Sequence, residues 1–129
     1  MGCKLRGVQD FRKLKVWERS HKLTLSVYEL TREFPKEEMF GLTSQLRRAV
    51  VSVELNLAEG SGRGTDMDFN RFVVMAIGLA SEVECLLLLA RDLKLISEAE
   101  IQIAMAECLA IKRMLIALGQ KLTAHGSSR

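Results

Sequence analysis

The sequence predicts an all-α protein: an antiparallel, up-down-up-down four-helix bundle that oligomerises. Apolar residues recur three and four positions apart through four long segments, which is the spacing of a buried helix face. The 129 residues are 48% hydrophobic but only 5% aromatic, a balance that favours packed helices over a sheet. Connections of about four to seven residues make consecutive helices antiparallel neighbours.

The first two predicted helices run from about Val16 to Glu33 and from about Thr43 to Glu59. Each carries one apolar stripe at helical spacing, made by Val16, Leu23, Val27, Leu30 and Phe34 on the first helix and by Leu46, Val50, Val53 and Leu57 on the second. The polar stretch "PKEEMFG" between them predicts a turn. Gly60 follows the second helix, where a left-handed residue is expected as its C-terminal cap.

The third predicted helix begins at Asp66, as its N-cap, and ends near Leu93, and the fourth ends near Leu122. The fourth helix opens with a capping box, because Ser97 is followed three residues later by Glu100. The chain length predicts one domain over residues 1–129, with a basic N-terminal arm over residues 1–14 and a flexible tail over residues 123–129.

The third and fourth helices carry more apolar residues than one core-facing stripe needs. A helix that is apolar nearly all round is expected to be buried nearly all round, so the excess predicts contacts between subunits, with an enlarged core as the alternative. These additional residues are Val74, Met75, Leu79, Leu86, Leu88 and Leu89 on the third helix, and Ile103, Ala106, Leu109, Ala110, Met114, Ile116 and Ala117 on the fourth.

Positive charge is concentrated at the start of the chain. Residues 1–22 hold seven Lys and Arg against two acidic residues, although the whole chain has a formal net charge of only +3. Such groups neutralise phosphates, which predicts salt-sensitive binding of RNA or DNA with little sequence preference, and a solvated basic face is the alternative. The candidate nucleic-acid-binding residues are Arg12, Lys13, Lys15, Arg19, Lys22, Arg47, Arg48 and Arg63.

The stretch "NLAEGSGRGTD" raises the possibility of a phosphate-binding loop, since Gly60, Gly62 and Gly64 lie close together. A P-loop requires Gly-Lys followed by Ser or Thr, which this chain lacks, and the dinucleotide fingerprint requires a preceding strand where a helix is predicted. The glycines are therefore interpreted as a turn between helices. Arg63 remains a candidate for a phosphate contact beside the backbone N–H groups of that turn.

Catalytic residue patterns are not recognisable. His21 lies on the first helix and His125 in the tail, and neither belongs to a constellation with Ser, Cys or Asp. Glu82 and Glu84 are two residues apart, so on a helix they point in different directions. Glu54 and Glu59 do not belong to a Glu-x-x-His pattern of the kind that di-iron bundles carry. The prediction is a non-enzymatic protein without a cofactor or metal.

The three cysteines are widely spaced and form no metal or disulfide pattern, which predicts a reducing compartment. The most apolar run, "FVVMAIGLASEVECLLLLA", contains Glu82 and Glu84 near its middle, which argues against a membrane span. Both observations predict a soluble cytoplasmic protein. Trp17 and Tyr28 are eleven residues apart, close to three helical turns, and are interpreted as core-edge residues, with base-stacking platforms as the alternative.

Three stretches together resemble one protein family: "DFRKLKVWERSHKLTLSVYELTREFP", "FGLTSQLRRAVVSVELNLAEGSGR" and "DFNRFVVMAIGLASEVECLLLLARDLKLI". They are similar to the bacterial four-helix bundle proteins named for intervening sequences of 23S ribosomal RNA genes, over roughly residues 9 to 120. The chain departs from the family at Glu54, where a proline is often found, so a straighter second helix is expected.

The resemblance implies a homopentameric barrel, an architecture that the accessory variability proteins of diversity-generating retroelements share. Those proteins bind a reverse transcriptase and nucleic acid. The chain is therefore predicted to be an oligomeric scaffold or adaptor that binds RNA or DNA electrostatically, with a reverse transcriptase as a candidate partner. The rival prediction is an oligomeric adaptor that binds only protein.

Overall fold

The computed structural model describes residues 10–126, and within that range the chain is all α-helical. Its four helices are α1 (Lys15–Thr31), α2 (Leu42–Ser61), α3 (Asp66–Asp92) and α4 (Glu98–Gly126), and two single-turn 3₁₀ helices occupy Phe11–Lys13 and Lys36–Glu38. Consecutive helices pack against each other, and α4 also packs against α1. The predicted four-helix architecture is thus confirmed.

Helix α1 ends two residues before the predicted boundary. Three of its hydroxyl groups are buried, those of Ser20, Thr24 and Thr31, and each donates a hydrogen bond to the carbonyl oxygen four residues earlier. This internal bonding satisfies the hydroxyls inside the apolar interface. Phe34 then turns back into the core, and Pro35 begins the connection to α2.

The predicted left-handed cap at Gly60 is wrong. Gly60 lies inside α2, which continues through Ser61, and no glycine within residues 10–126 has a positive φ. Gly62 is the C-cap instead, with a φ of −87°. A Cβ atom on Gly60 would lie 2.8 Å from both Phe69 Cδ1 and Phe72 Cβ, so the glycine allows α2 and α3 to approach closely.

The N-terminal boundaries of α3 and α4 show one correction and one confirmation. Asp66 is the first helical residue of α3, and Thr65 is the N-cap, whose side chain accepts a hydrogen bond from the Asp68 N–H. In the confirmed capping box, Ser97 Oγ accepts from the Glu100 N–H at 3.2 Å, and Glu100 Oε1 accepts from the Ser97 N–H at 3.2 Å.

Two C-terminal boundaries also depart from expectation. Among the described residues, the one with a left-handed backbone is Lys94, whose φ is 61°. Lys94 follows α3, and its conformation lets the Leu95 N–H donate to the Ala90 carbonyl at 2.9 Å. Helix α4 continues through Gly126, so it includes residues 123–126 of the predicted tail. The remaining tail, residues 127–129, lies outside the described residues, as do residues 1–9 of the basic arm.

The core is built from every helix. Its largest fully buried apolar side chains are Val27 from α1, Leu46, Val50 and Leu57 from α2, Phe69, Val73, Val83 and Leu87 from α3, and Cys108, Ile111 and Leu115 from α4. By length and composition alone, α3 is the one described helix that could cross a membrane. Nine of its residues are buried in the bundle, and a core helix of a soluble protein meets the same criteria.

The additional apolar residues of α3 and α4 divide between the core and the surface. Leu86 is buried, whereas Val74, Met75, Leu88 and Leu89 of α3 are exposed. On α4 the large exposed apolar side chains are Ile103, at 73%, and Ile116, at 42%. Both helices therefore present apolar side chains to solvent.

Candidate nucleic-acid interface

The described part of the basic arm is fixed by a 3₁₀ turn. Asp10 caps this turn by accepting from the Arg12 N–H, and its carboxylate also accepts from the Arg12 guanidinium at 3.0 and 3.2 Å. The side-chain hydrogen bond, followed by the backbone one, holds the pKa of Asp10 below its ordinary value, and the same pairing raises the pKa of Arg12. Lys13 is exposed beside this pair.

Lys15, Arg19 and Lys22 lie along one face of α1, at the spacing that the sequence predicts. Arg19 is engaged within the bundle: Nε and Nη2 donate to the two carboxylate oxygens of Glu107 on α4, at 2.8 and 2.9 Å. This bidentate pair raises the pKa of the Arg19 guanidinium. Its charge is thereby compensated, while Lys15 and Lys22 are exposed.

A groove of about 900 Å³ lies between α1 and α4, next to this face. Lys22 and the Arg19–Glu107 pair line it, together with apolar side chains such as Ile103. Further carboxylates, those of Glu29, Glu33 and Glu100, belong to the same lining. The groove therefore has mixed charge. Apart from Lys22, its lining offers a polyanion little attraction.

Arg47 and Arg48, adjacent on α2, have different environments. The Arg47 guanidinium lies over the Tyr28 ring with 4.5 Å between its Cζ atom and the ring centroid. Its Nε donates to Thr31 Oγ1 at 2.8 Å and its Nη2 to the Tyr28 carbonyl at 3.4 Å. These acceptors are neutral, so Arg47 is held in place with its charge uncompensated. Arg48 is exposed.

Arg63 connects the glycine-containing turn to α3. Its Nη2 donates to Glu59 Oε2 at 2.8 Å, its Nη1 lies 3.8 Å from Asp68 Oδ2, and its Cζ lies 4.7 Å from the Phe72 ring centroid. Two carboxylates and an aromatic ring thus surround the guanidinium. This arrangement stabilises the turn and leaves Arg63 less suited to bind a phosphate than the sequence alone indicates.

Four of the eight candidates are exposed cations without an ion-pair partner among residues 10–126: Lys13, Lys15, Lys22 and Arg48. All four lie on α1, α2 or the preceding turn. Residues 10–126 contain sixteen Lys and Arg and sixteen Asp and Glu. Because the described part has no net charge, any attraction for phosphate must come from local exposed cations such as these four.

Sequence reasoning missed an aromatic arrangement near the junction of α1 and α2. The His21 and Trp17 rings are stacked, with centroids 4.9 Å apart and an interplanar angle of 11°, and Phe11 meets Trp17 edge-on at 4.9 Å. His21 Nδ1 is also 2.9 Å from Glu54 Oε1 on α2. The four-residue spacing of Trp17 and His21 was visible in the sequence, but the contact to Glu54 depends on helix packing.

Catalytic or metal-binding geometry is not recognisable in the described part of the chain. Among the side chains that the structure describes, which end at Ala124, His, Cys, Asp and Glu form no group of three that could hold a metal ion. Cys108 is buried and donates to the Ala80 carbonyl at 3.4 Å. Burial, and secondly the nearby Glu84 carboxylate, raise the pKa of the Cys108 thiol to about 11.

These features define a small all-α bundle with exposed cations on α1, α2 and the preceding turn, aromatic rings at the junction of α1 and α2, and exposed apolar side chains on all of α1 to α4. Residues 12–117 match the family model of the 23S rRNA-intervening sequence protein, so the chain belongs to that family and the resemblance seen in the sequence is confirmed.

A crystal structure of similar fold belongs to a Bacteroides thetaiotaomicron protein with unknown function from the S23 ribosomal protein family. The TM-score is 0.74 at 20% sequence identity, and the alignment covers 80% of this chain and 96% of that chain. At this identity the likeness concerns the fold alone. Among curated proteins, the comparison finds no match to this chain.

Proposed function

We propose that this protein is a non-enzymatic, cytoplasmic, oligomeric scaffold that binds RNA or DNA electrostatically through exposed cations of α1, α2 and the turn that precedes α1. The observation that carries the proposal is that Lys13, Lys15, Lys22 and Arg48 are each exposed and without an ion-pair partner in the described part of the chain. Lysine and arginine side chains of this kind release counterions from phosphates on binding.

Oligomerisation is the second part of the proposal. Cross-helix contacts support an antiparallel arrangement, because His21 pairs with Glu54 while Thr31, farther along α1, pairs with Arg47, earlier in α2. The exposed apolar surface of α3 and α4 supports self-association into a ring, a pentamer as the family resemblance implies. Repetition around the ring multiplies weak phosphate contacts into useful avidity.

A purely protein-binding adaptor is the second candidate, and one observation favours it. Phe40, in the connection between α1 and α2, is 96% exposed, and Met39 beside it is 50% exposed. Apolar side chains presented in this way are typical of contact sites for a protein partner. In the nucleic-acid proposal a reverse transcriptase is a candidate protein partner, and no membrane is involved.

A gel shift at low salt with matched charge variants tests the proposal. The test variant replaces Lys13, Lys15, Lys22 and Arg48 with Gln. The control variant removes the same charge elsewhere, by replacing Lys36, Lys94, Arg113 and Lys121 with Gln. Solution mass and circular dichroism establish that assembly and helicity are unchanged in both variants.

The wild type and the control variant are expected to retain RNA or DNA, whereas the test variant loses it. Equal retention by both variants would place the binding surface elsewhere. If the wild type retains neither RNA nor DNA, and Phe40→Ser reduces capture of a protein partner, the results would favour the protein-binding adaptor.

A further inference from the structure

We propose that the nucleic acid bound by this protein is single-stranded, with its bases stacked on two preformed platforms along the exposed junction of α1 and α2. This inference rests on the proposed function and specifies its ligand class. The platforms are the Trp17–His21 stack and the Tyr28–Arg47 stack. Both are formed within the bundle, so neither requires side-chain ordering when a base arrives.

The Tyr28–Arg47 platform combines an exposed ring with an uncompensated charge. Tyr28 is 38% exposed, an unusual position for a ring that serves only the core. Two hydrogen bonds to neutral oxygens fix the plane of the Arg47 guanidinium over that ring. A planar guanidinium and an aromatic ring both stack on bases, and the positive charge also attracts the adjoining phosphates.

The Trp17–His21 platform is partly open to solvent. The His21 side chain is 46% exposed, and its Nδ1 contact to Glu54 fixes the ring from the α2 side. Phe11 supports Trp17 edge-on, which connects this platform to the turn that carries Lys13. Stacked aromatic rings beside a free cation are the combination found in single-strand binding surfaces.

The spacing of the platforms suits a stacked strand. His21 and Tyr28 are seven residues apart on α1, so they lie on one helix face about 10.5 Å apart along its axis. This distance corresponds to about three steps of a stacked strand at ~3.4 Å per nucleotide. The bases of a duplex are paired and already stacked on each other, so they are not available to these rings.

Trp17 is the single tryptophan of the chain, so its fluorescence reports directly on one platform. The probes are a 20-nucleotide oligo(U) strand and an RNA duplex with the same number of phosphates. The variants are Tyr28→Leu, which removes the ring, Tyr28→Phe, which keeps it, and Arg47→Lys, which keeps the charge without the flat guanidinium. Quenching of Trp17 and the Kd are measured for each.

The oligo(U) strand is expected to quench Trp17 and to bind more tightly than the duplex. Tyr28→Leu is expected to weaken oligo(U) binding about tenfold, within the range for one lost base stack, and to leave duplex binding unchanged. Arg47→Lys should also weaken oligo(U) binding, and Tyr28→Phe should bind oligo(U) as the wild type does.

Two negative results are distinguishable. If Tyr28→Leu binds oligo(U) like the wild type while the variant lacking Lys13, Lys15, Lys22 and Arg48 does not, the platform inference fails and the electrostatic function stands. If the wild type binds neither probe at low salt, both fail.

Discussion

Replacing Gly60 with Ala tests whether this glycine serves helix packing rather than a turn. The added Cβ would lie 2.8 Å from Phe69 Cδ1 and 2.8 Å from Phe72 Cβ. Phe72 Cβ is attached directly to the backbone of α3, and Phe69 is only 1% exposed, so neither atom can move away easily. The substitution should therefore force α2 and α3 apart.

The magnitude follows from two opposing effects. Overpacking of a well-filled core costs about 1–3 kcal/mol, and two simultaneous contacts place Gly60→Ala near the upper end. The gain in helix propensity from Gly to Ala offsets about 1 kcal/mol. The net loss in the free energy of unfolding should be about 2 kcal/mol, which lowers the Tm by roughly 8 °C for a domain of this size.

Gly78→Ala is the matched control, since Gly78 is exposed within α3 and a Cβ there meets nothing within 4 Å. Only the propensity gain remains, so this variant should be more stable by up to about 1 kcal/mol. Thermal unfolding by circular dichroism at one protein concentration, with the solution mass of each variant, measures both. A Gly60→Ala protein as stable as Gly78→Ala would refute the packing explanation.

Three further predictions concern individual contacts. Cys108 should resist a thiol reagent in the native protein while the exposed Cys85 reacts, and Cys108 should react after unfolding. Because burial raises the pKa of Cys108 from its ordinary value of 9.0 to about 11 in the folded protein, the contribution of this thiol to stability is complete below about pH 9 and decreases as pH rises toward about 11. Cys108→Ala should abolish this loss in pH-dependent denaturation. Ser97→Ala should lower stability by about 1 kcal/mol through loss of the capping box, whereas an unchanged urea midpoint would contradict this. A double-mutant cycle on Arg19 and Glu107 should give a coupling free energy below about 1 kcal/mol that falls further in high salt, because both side chains are about a third or more exposed. A larger, salt-independent coupling free energy would be inconsistent with a surface ion pair.

The sequence was sufficient for the four-helix fold because apolar residues recur at helical spacing through each of its four long segments. Val16, Val27, Leu46 and Leu57 were all identified by this spacing, and all are buried. The capping box at Ser97 was correct because it depends only on residues three apart. Periodicity and local hydrogen bonding are properties of a short segment, so they can be predicted without knowing the partners of that segment.

The errors arose where tertiary contacts override a local preference. Gly60 resembles a C-cap in sequence, but the proximity of Phe69 and Phe72 determines its use. Cys85 lies within the apolar run "FVVMAIGLASEVECLLLLA", yet it is exposed on the outer face of α3. A sequence cannot reveal which of two apolar stripes on one helix faces the core.

The candidate site was predictable only in part. Lys13, Lys15, Lys22 and Arg48 could be selected as basic residues, but their freedom from ion pairs depends on the positions of carboxylates elsewhere in the bundle. Arg19 illustrates the difference, because its partner Glu107 is 88 residues away in the sequence.

The salt dependence of single-strand binding tests the central proposal most directly. Fluorescence anisotropy with labelled oligo(U) gives log Kobs against log salt concentration for the wild type and for the variant in which Lys13, Lys15, Lys22 and Arg48 are replaced with Gln. The electrostatic mechanism predicts a steep negative slope for the wild type, which becomes shallower in the variant by about 3 units per engaged subunit. The same slope in both proteins would contradict the assignment of these four cations to the nucleic-acid interface.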